Sequence, residues 1–176
     1  MKISNYTKEI SKIVEEAQFS LDEILTAINQ VKAAHKKIIF VGNGGSAATA
    51  NHMALDYSKI GKVRAISFDD GSLLTMLGND YGFENSFAKA IEMYGDAGDL
   101  LIALSGSGRS PNILKAVEAA KKMGIKSITL SGFQSDNPLS KIGDINIYFN
   151  SQKYGPVEIS HLIFLHWLLD YYFAEK

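Results

Sequence analysis

Five short apolar runs alternate with helical patterns along most of the chain. The runs lie at 37–41, 63–68, 99–104, 125–130 and 145–149. Helical patterns follow the first run from Ser46, the third from Pro111 to Met123, and the last from about Pro156 to Phe173. Continuous apolar runs are typical of parallel strands, which are buried on both faces. The pattern therefore predicts an α/β domain whose parallel sheet carries helices on both faces.

The N-terminal segment has a pattern of its own. Apolar residues recur at helical spacing over about residues 3–34, which predicts a helical segment. Ser20 and Glu23 resemble a capping box, so we expect a break near Ser20. The apolar stripe is longer than one small sheet can cover. We therefore expect residues 1–35 to form an oligomerisation segment within a single domain that spans 1–176.

Composition and charge narrow the class of protein. The 176 residues suit one domain, and a formal net charge of −1 gives non-specific nucleic-acid binding no electrostatic support. The absence of cysteine excludes disulfides and cysteine metal sites. No apolar run approaches the roughly 18 residues of a membrane span, and the N-terminus lacks the apolar core of a signal peptide. We expect a cytoplasmic protein that binds neither nucleic acid nor membrane.

Two loops rich in small residues follow predicted strands, at 42–46 (Gly-Asn-Gly-Gly-Ser) and 105–110 (Ser-Gly-Ser-Gly-Arg-Ser). Small residues let the backbone approach a ligand closely, and a helix N-terminus supplies free N–H donors. Tight turns alone would explain one such loop. Two of them at the carboxyl ends of parallel strands predict a phosphate-binding site. Neither loop matches a Walker sequence, which disfavours a nucleoside triphosphate.

Two histidines and two carboxylates are candidates for catalysis. His52 and Asp56 are spaced i, i+4 and share one helix face, as a catalytic pair or as a solvated surface pair. His166 lies among apolar residues and could be a catalyst or a satisfied core histidine. Glu158 could be a catalytic acid or could favour the dipole of its helix. The four side chains could also hold Zn²⁺ or another divalent metal, although nothing in the sequence requires a cofactor.

Four motifs together resemble one known family. They are Gly42 to Ser46, Gly78-Asn79-Asp80-Tyr81-Gly82-Phe83, Ser105-Gly106-Ser107-Gly108 with Ser110, and the last helix with His161 and His166. The sequence resembles the sugar isomerase (SIS) domain family, most closely its phosphoheptose isomerase branch. The resemblance implies a three-layer, flavodoxin-like fold with a five-stranded parallel sheet. It also implies a homotetramer with active sites at subunit interfaces.

The resemblance further implies an activity and a set of residues. The activity is aldose–ketose isomerisation of sedoheptulose 7-phosphate to D-glycero-D-manno-heptose 7-phosphate through an enediol, for lipopolysaccharide or capsule synthesis. The metal set carries over to His52, Asp56, Glu158 and His166, of which the last three are also the catalytic residues. The implied substrate contacts are Asn43, Gly44, Gly45, Ser46, Asn79, Asp80, Ser105, Gly106, Ser107 and Ser110.

Two positions depart from the family pattern. Asp56 stands where the family usually has glutamate, and Glu158 stands where it usually has glutamine. Either carboxylate could take the carbon proton, while His166 handles the oxygen proton. We expect Glu158 to act, because the shorter Asp56 side chain would leave the proton out of reach.

Three other functions are compatible with parts of this reading. One is a non-catalytic SIS scaffold that assembles protein partners such as a replication initiator, and another is an isomerase of a different ketose phosphate. The third, a sugar-phosphate-sensing regulator, is disfavoured because the chain has no segment left for a nucleic-acid module. A scaffold has no reason to keep Asp56, Glu158 and His166 beside phosphate loops, so the sequence favours an enzyme.

Overall fold

The computed structural model describes residues 2–173, which form eight α-helices, five strands and one short 3₁₀ helix within that range. The elements in chain order are α1 (Ile3–Glu15), α2 (Leu21–Ala33), β1 (Lys37–Val41), α3 (Gly45–Lys59), β2 (Arg64–Ser67), α4 (Gly71–Tyr81), the 3₁₀ helix (Phe83–Asn85), α5 (Ser86–Tyr94), β3 (Leu100–Ser105), α6 (Pro111–Lys122), β4 (Lys126–Ser131), α7 (Pro138–Ile142), β5 (Ile145–Tyr148) and α8 (Tyr154–Phe173).

The five strands form one parallel sheet in the order β2-β1-β3-β4-β5, which confirms the predicted fold class. Neighbouring residues of β1 point to opposite faces: Phe40 packs with α3 and α8, and Ile39 packs with α5 and α6. Because both faces are covered, β1 and β3 are apolar along most of their length, and β4 is buried from Ser127 to Ser131. The chain leaves β1 towards β2 on one side and returns to β3 on the other. This switch point is where open parallel sheets bind ligands.

The N-terminal segment is two helices rather than one. The Ser20 hydroxyl accepts a hydrogen bond from Glu23 N at 3.4 Å and begins α2, so the predicted break is confirmed. Most of the apolar stripe is covered within the single chain, so the expectation that it exceeds what this fold can cover is wrong for these residues. Ile13, Ile24 and Ile28 are buried in the core beneath α8 and the sheet. The fold covers these residues itself because α1 lies along α8 and α2 lies on the sheet.

The turn-rich stretch at 132–138 is only partly a surface loop. Asn137 has none of its surface exposed, and Pro138 begins α7. A stretch with this composition predicts a surface loop. That prediction is wrong for Asn137, because its side-chain amide bonds to the surrounding backbone.

Candidate active site

The serine-rich loop at 105–110 connects β3 to α6 at the carboxyl edge of the sheet, the edge where all five strands end. The hydroxyls of Ser105 and Ser110 lie 3.0 Å apart, and Ser107 Oγ accepts a hydrogen bond from Arg109 N at 3.3 Å. Gly108 has φ +63°, a conformation that a side chain would strain. Three hydroxyls and the first turn of a helix therefore share one short loop, as a phosphate site requires.

The first loop lies across the switch point from the serine loop. Gly44 has φ +54° and ψ −121°, so this position needs glycine for its backbone conformation alone. The Asn43 and Asn112 side chains exchange two hydrogen bonds, at 2.9 and 2.8 Å, which join the loop to the start of α6. The pair fixes the distance between the two loops, and it engages both polar atoms of the predicted substrate contact Asn43.

Helix α8 begins across this same edge, and three glycines allow its close approach. A Cβ on Gly45 would lie 2.4 Å from Glu158 Oε2, and one on Gly132 would lie 2.6 Å from a Val157 methyl. A Cβ on Gly106 would lie 3.2 Å from the Tyr154 ring. The first turn of α8 therefore covers the ends of three strands.

A carboxylate lies between two imidazoles where α3 meets α8. Asp56 Oδ2 is 3.1 Å from His52 Nε2 and 4.0 Å from His166 Nδ1, and the two rings stack edge to face at 5.0 Å. Asp56 and His166 are both partly buried. The structure therefore brings together three of the four residues proposed as metal ligands, with one ligand atom from each within 4.8 Å of the others.

Glu158 is not part of that group. Its carboxylate lies against Gly45 at the start of α3, because it precedes His166 by two turns of α8, or about 12 Å along the axis. The structure therefore does not bring all four predicted metal ligands into one site. Glu158 and His52 do line one open cleft, together with Gly45 and Thr49.

Asn79 and Asp80 lie at the exposed end of α4, and their side chains bond to each other at 2.8 Å. The 3₁₀ helix that follows packs on α6, where Lys115 Nζ donates to Asn85 Oδ1 at 2.8 Å. Within residues 2–173 the hydrogen bond between the Asn79 and Asp80 side chains involves neither phosphate loop.

Three polar residues that were given no role from the sequence are buried around the loops. Asn112 and Asn137 were missed because a buried amide leaves no periodic pattern. His161 is quoted in the family motif but was given no role. Its ring has no exposed surface and packs on Phe149 at 5.1 Å. Neither ring nitrogen has a hydrogen-bond partner among the described residues. Burial lowers the pKa of His161 to about 3. The polar backbone of Ser131 near the ring raises this pKa, but by less than burial lowers it.

Comparison with known proteins identifies the family. A family model described as the SIS domain matches residues 3–132. The phosphoheptose isomerase of Fusobacterium nucleatum is 33% identical over 178 residues, covering 96% of this chain and 91% of its own. That of Campylobacter concisus is 39% identical over 137 residues, covering 74% and 72%. This chain belongs to the phosphoheptose isomerase branch of the SIS domain family.

Structural likeness to that family extends over the whole domain. The solved structure of phosphoheptose isomerase GmhA from Neisseria gonorrhoeae has a TM-score of 0.85 and 29% identity, covering 97% of each chain. The SIS match includes both loops, His52 and Asp56, and ends before α8. The Fusobacterium relative spans nearly the full length, so the likeness to phosphoheptose isomerases extends beyond the SIS match. No helix in the described part of the chain is both long and apolar enough to cross a membrane.

Proposed function

We propose that this protein is an aldose–ketose isomerase that converts sedoheptulose 7-phosphate to D-glycero-D-manno-heptose 7-phosphate through an enediol. The observation that carries the proposal is the group of His52, Asp56 and His166 on the two helices that start at the carboxyl edge. These side chains would supply an acid–base set, and α3, which carries two of them, begins at the first of the two loops.

The phosphate end of the substrate would lie at the serine loop. A phosphate accepts several hydrogen bonds at once, and Ser105, Ser107 and Ser110 offer hydroxyls beside the free N–H groups of α6. Ser46, in the first turn of α3, would add a donor from the opposite loop. Bonds to a charged phosphate contribute roughly 1.5–3 kcal/mol each, so this loop would set the affinity for the substrate.

The reacting carbons would lie further along α3. Asp56 is ten residues beyond Ser46, or about 15 Å along the helix axis, which suits an extended seven-carbon sugar phosphate. We propose that Asp56 takes the proton from carbon and that His166 moves the proton of the carbonyl oxygen. This choice of base departs from the expectation of Glu158, because Asp56 lies beside His166. Glu158 lies against Gly45, next to Ser46, so it would contact the substrate near its phosphate end and not at the reacting carbons.

The same three side chains suit a divalent metal. Two imidazole nitrogens and a carboxylate oxygen are ligands that Zn²⁺ and similar ions take. A metal held by His52, Asp56 and His166 would polarise the carbonyl oxygen and stabilise the enediolate. Dialysis against a chelator followed by metal analysis and readdition would show whether the activity depends on an ion.

The direct test is product formation. Purified protein would be incubated with sedoheptulose 7-phosphate, fructose 6-phosphate and ribulose 5-phosphate, and the products followed by NMR. We expect conversion of the seven-carbon ketose to a manno-configured aldose. Preferred turnover of a shorter ketose would overturn the substrate assignment. Turnover of none would favour the non-catalytic scaffold.

We also propose that four copies assemble with the active sites at subunit interfaces. Helix α8 exposes an apolar row at i, i+4 spacing, formed by Ile159, Ile163, Trp167 and Tyr171. Ile159 also borders the cleft that holds Glu158 and His52. A second copy seated on this row would cover the open side of the cleft. The exposed row on α8 is therefore the observation that supports the proposed assembly.

The family resemblance supports two further proposals about context. The isomerase would act in the cytoplasm, and its product would supply heptose for lipopolysaccharide or capsule. Deletion of the gene followed by sugar analysis of surface glycans tests the second proposal.

A further inference from the structure

The side chain of Asn137 is unusually well bonded for a residue in a turn. Its amide group donates to Ser131 Oγ at 3.0 Å, to Gln134 O at 2.7 Å and, at 3.4 Å, to Gly132 O. Its Oδ1 accepts from Ser140 N at 3.0 Å, which caps α7. With no surface exposed, the amide is held in one orientation by partners on both its oxygen and its nitrogen.

The held amide lies directly against the serine loop. A Cβ on Gly108 would lie 2.0 Å from Asn137 Oδ1, so the amide fills the space beside the residue that turns the loop. Gly108 O also accepts a hydrogen bond from Leu139 N at 3.0 Å, two residues beyond Asn137. The turn after β4 thus contacts the loop after β3 through both a side chain and the backbone.

We propose that Asn137 is a positioning residue for the phosphate-binding loop. Its amide, fixed by the β4–α7 turn, holds Gly108 in the left-handed conformation that directs the loop's hydroxyls and N–H groups towards the ligand. Asn137 itself does not reach the phosphate. The inference rests on the proposed function, because it assigns phosphate binding to residues 105–110.

A role in capping α7 alone does not require these contacts. Serine caps a helix about as well as asparagine and needs no donors of its own for that purpose. Asn137→Ser therefore keeps an N-cap residue and removes the group that touches Gly108. Ser140→Ala is the matched control, because the bonds of Ser140 Oγ to described residues stay within the turn, to Ser135 O and Asn137 O. It weakens the turn without touching the serine loop.

The first experiment measures inorganic phosphate binding by calorimetry and the amide signals of Gly106 and Gly108 by NMR. In Asn137→Ser we expect the Kd for phosphate and the KM for the sugar phosphate to rise roughly tenfold. That is the loss of about one good hydrogen bond to a charged group. The kcat should change much less, and the Gly106 and Gly108 signals should shift or broaden. Ser140→Ala should leave all of these values near wild type.

A second pair of variants keeps the test decisive if Asn137→Ser folds poorly. Gly108→Ala should weaken phosphate binding through its clash with Asn137. Gly124→Ala has the same kind of backbone strain, at φ +71°, and would meet only Ala97 at 3.8 Å, so it should not. The added methyl would lie within 3.0 Å of Oδ1, Cγ and Cβ of Asn137. In the double variant with Asn137→Gly, which removes all three atoms, the effect of Gly108→Ala should shrink.

The outcomes separate this proposal from the proposed function. Wild-type phosphate affinity and unchanged Gly106 and Gly108 signals in a folded Asn137→Ser protein would overturn the positioning role. So would equal effects of Gly108→Ala in both backgrounds. If the wild-type protein binds no phosphate, the assignment of phosphate binding to residues 105–110 is wrong, and Asn137 has no phosphate site to position. Absence of isomerase activity with phosphate binding intact would overturn the reaction alone.

Discussion

At the scale of single residues, Asp56 is the side chain of the candidate site that contacts both histidines. One carboxylate oxygen lies within 4.0 Å of nitrogens from two histidines on two different helices. We predict that Asp56→Asn and His166→Gln each lower kcat by at least roughly 10²-fold, the low end for general acid–base groups. Glu158→Gln should act mainly on KM.

Solvent deuterium incorporation at the carbon next to the carbonyl tests that assignment. It reports proton transfer at carbon separately from later steps. If Asp56→Asn exchanges at the wild-type rate while Glu158→Gln does not, Glu158 is the base and our proposal for Asp56 is wrong.

His161 should make stability depend on pH. Its pKa is about 3 in the folded protein against 6.5 for an ordinary histidine, so the unfolded chain binds the extra proton between those values. Stability is therefore retained above pH 6.5 and lost as the pH falls towards 3, by roughly 2 kcal/mol between pH 6.5 and 5. Urea unfolding at pH 7 and 5 should show this loss in wild type and a smaller one in His161→Met. An equal loss in both would contradict the prediction.

The sequence was sufficient for residues that belong to local patterns and insufficient for those that do not. The serines of the loop at 105–110 follow a strand directly, and the i, i+4 spacing of His52 and Asp56 predicted their shared face. Asn112 could not be predicted, because its partner Asn43 lies 69 positions away in the chain. Its burial depends on that long-range pair.

At the scale of elements, the placement of α8 depends on a small set of glycines. Gly132→Ala would push a Cβ into Val157, and overpacking of this kind costs about 1–3 kcal/mol. We predict a lower melting temperature and weaker isomerase activity, because α8 carries Glu158 and His166. Gly71→Ala is the control, since a Cβ there meets no atom of residues 2–173 within 4 Å. Equal melting temperatures for the two variants would contradict this account.

Element boundaries show where apolar periodicity is informative. The runs at 37–41 and 99–104 match β1 and β3 within one residue, because central strands are buried on both faces. The edge strand β2 is partly exposed and shorter than its apolar run. Helices α4, α5 and α7 were not assigned from the sequence. They are five to eleven residues long, too short for a clear helical period.

At the scale of the whole molecule, the exposed row on α8 predicts assembly. Ile163 is 41% exposed in the single chain, so replacing it should affect contacts between copies more than folding. We predict that Ile163→Asp converts a tetramer to smaller species by light scattering and lowers activity, while its circular dichroism stays native. Ser72→Asp adds the same charge at an exposed position on α4 and should remain tetrameric. A wild-type protein that is already monomeric at micromolar concentration would contradict the assembly.

The seating of α8 across the ends of three strands also has a consequence during synthesis. His52 and Asp56 leave the ribosome about a hundred residues before His166, yet the three side chains form one group. The group is therefore incomplete until α8 has been synthesised and has packed on the sheet. A chain that stops before α8 keeps His52 and Asp56 but lacks the second imidazole.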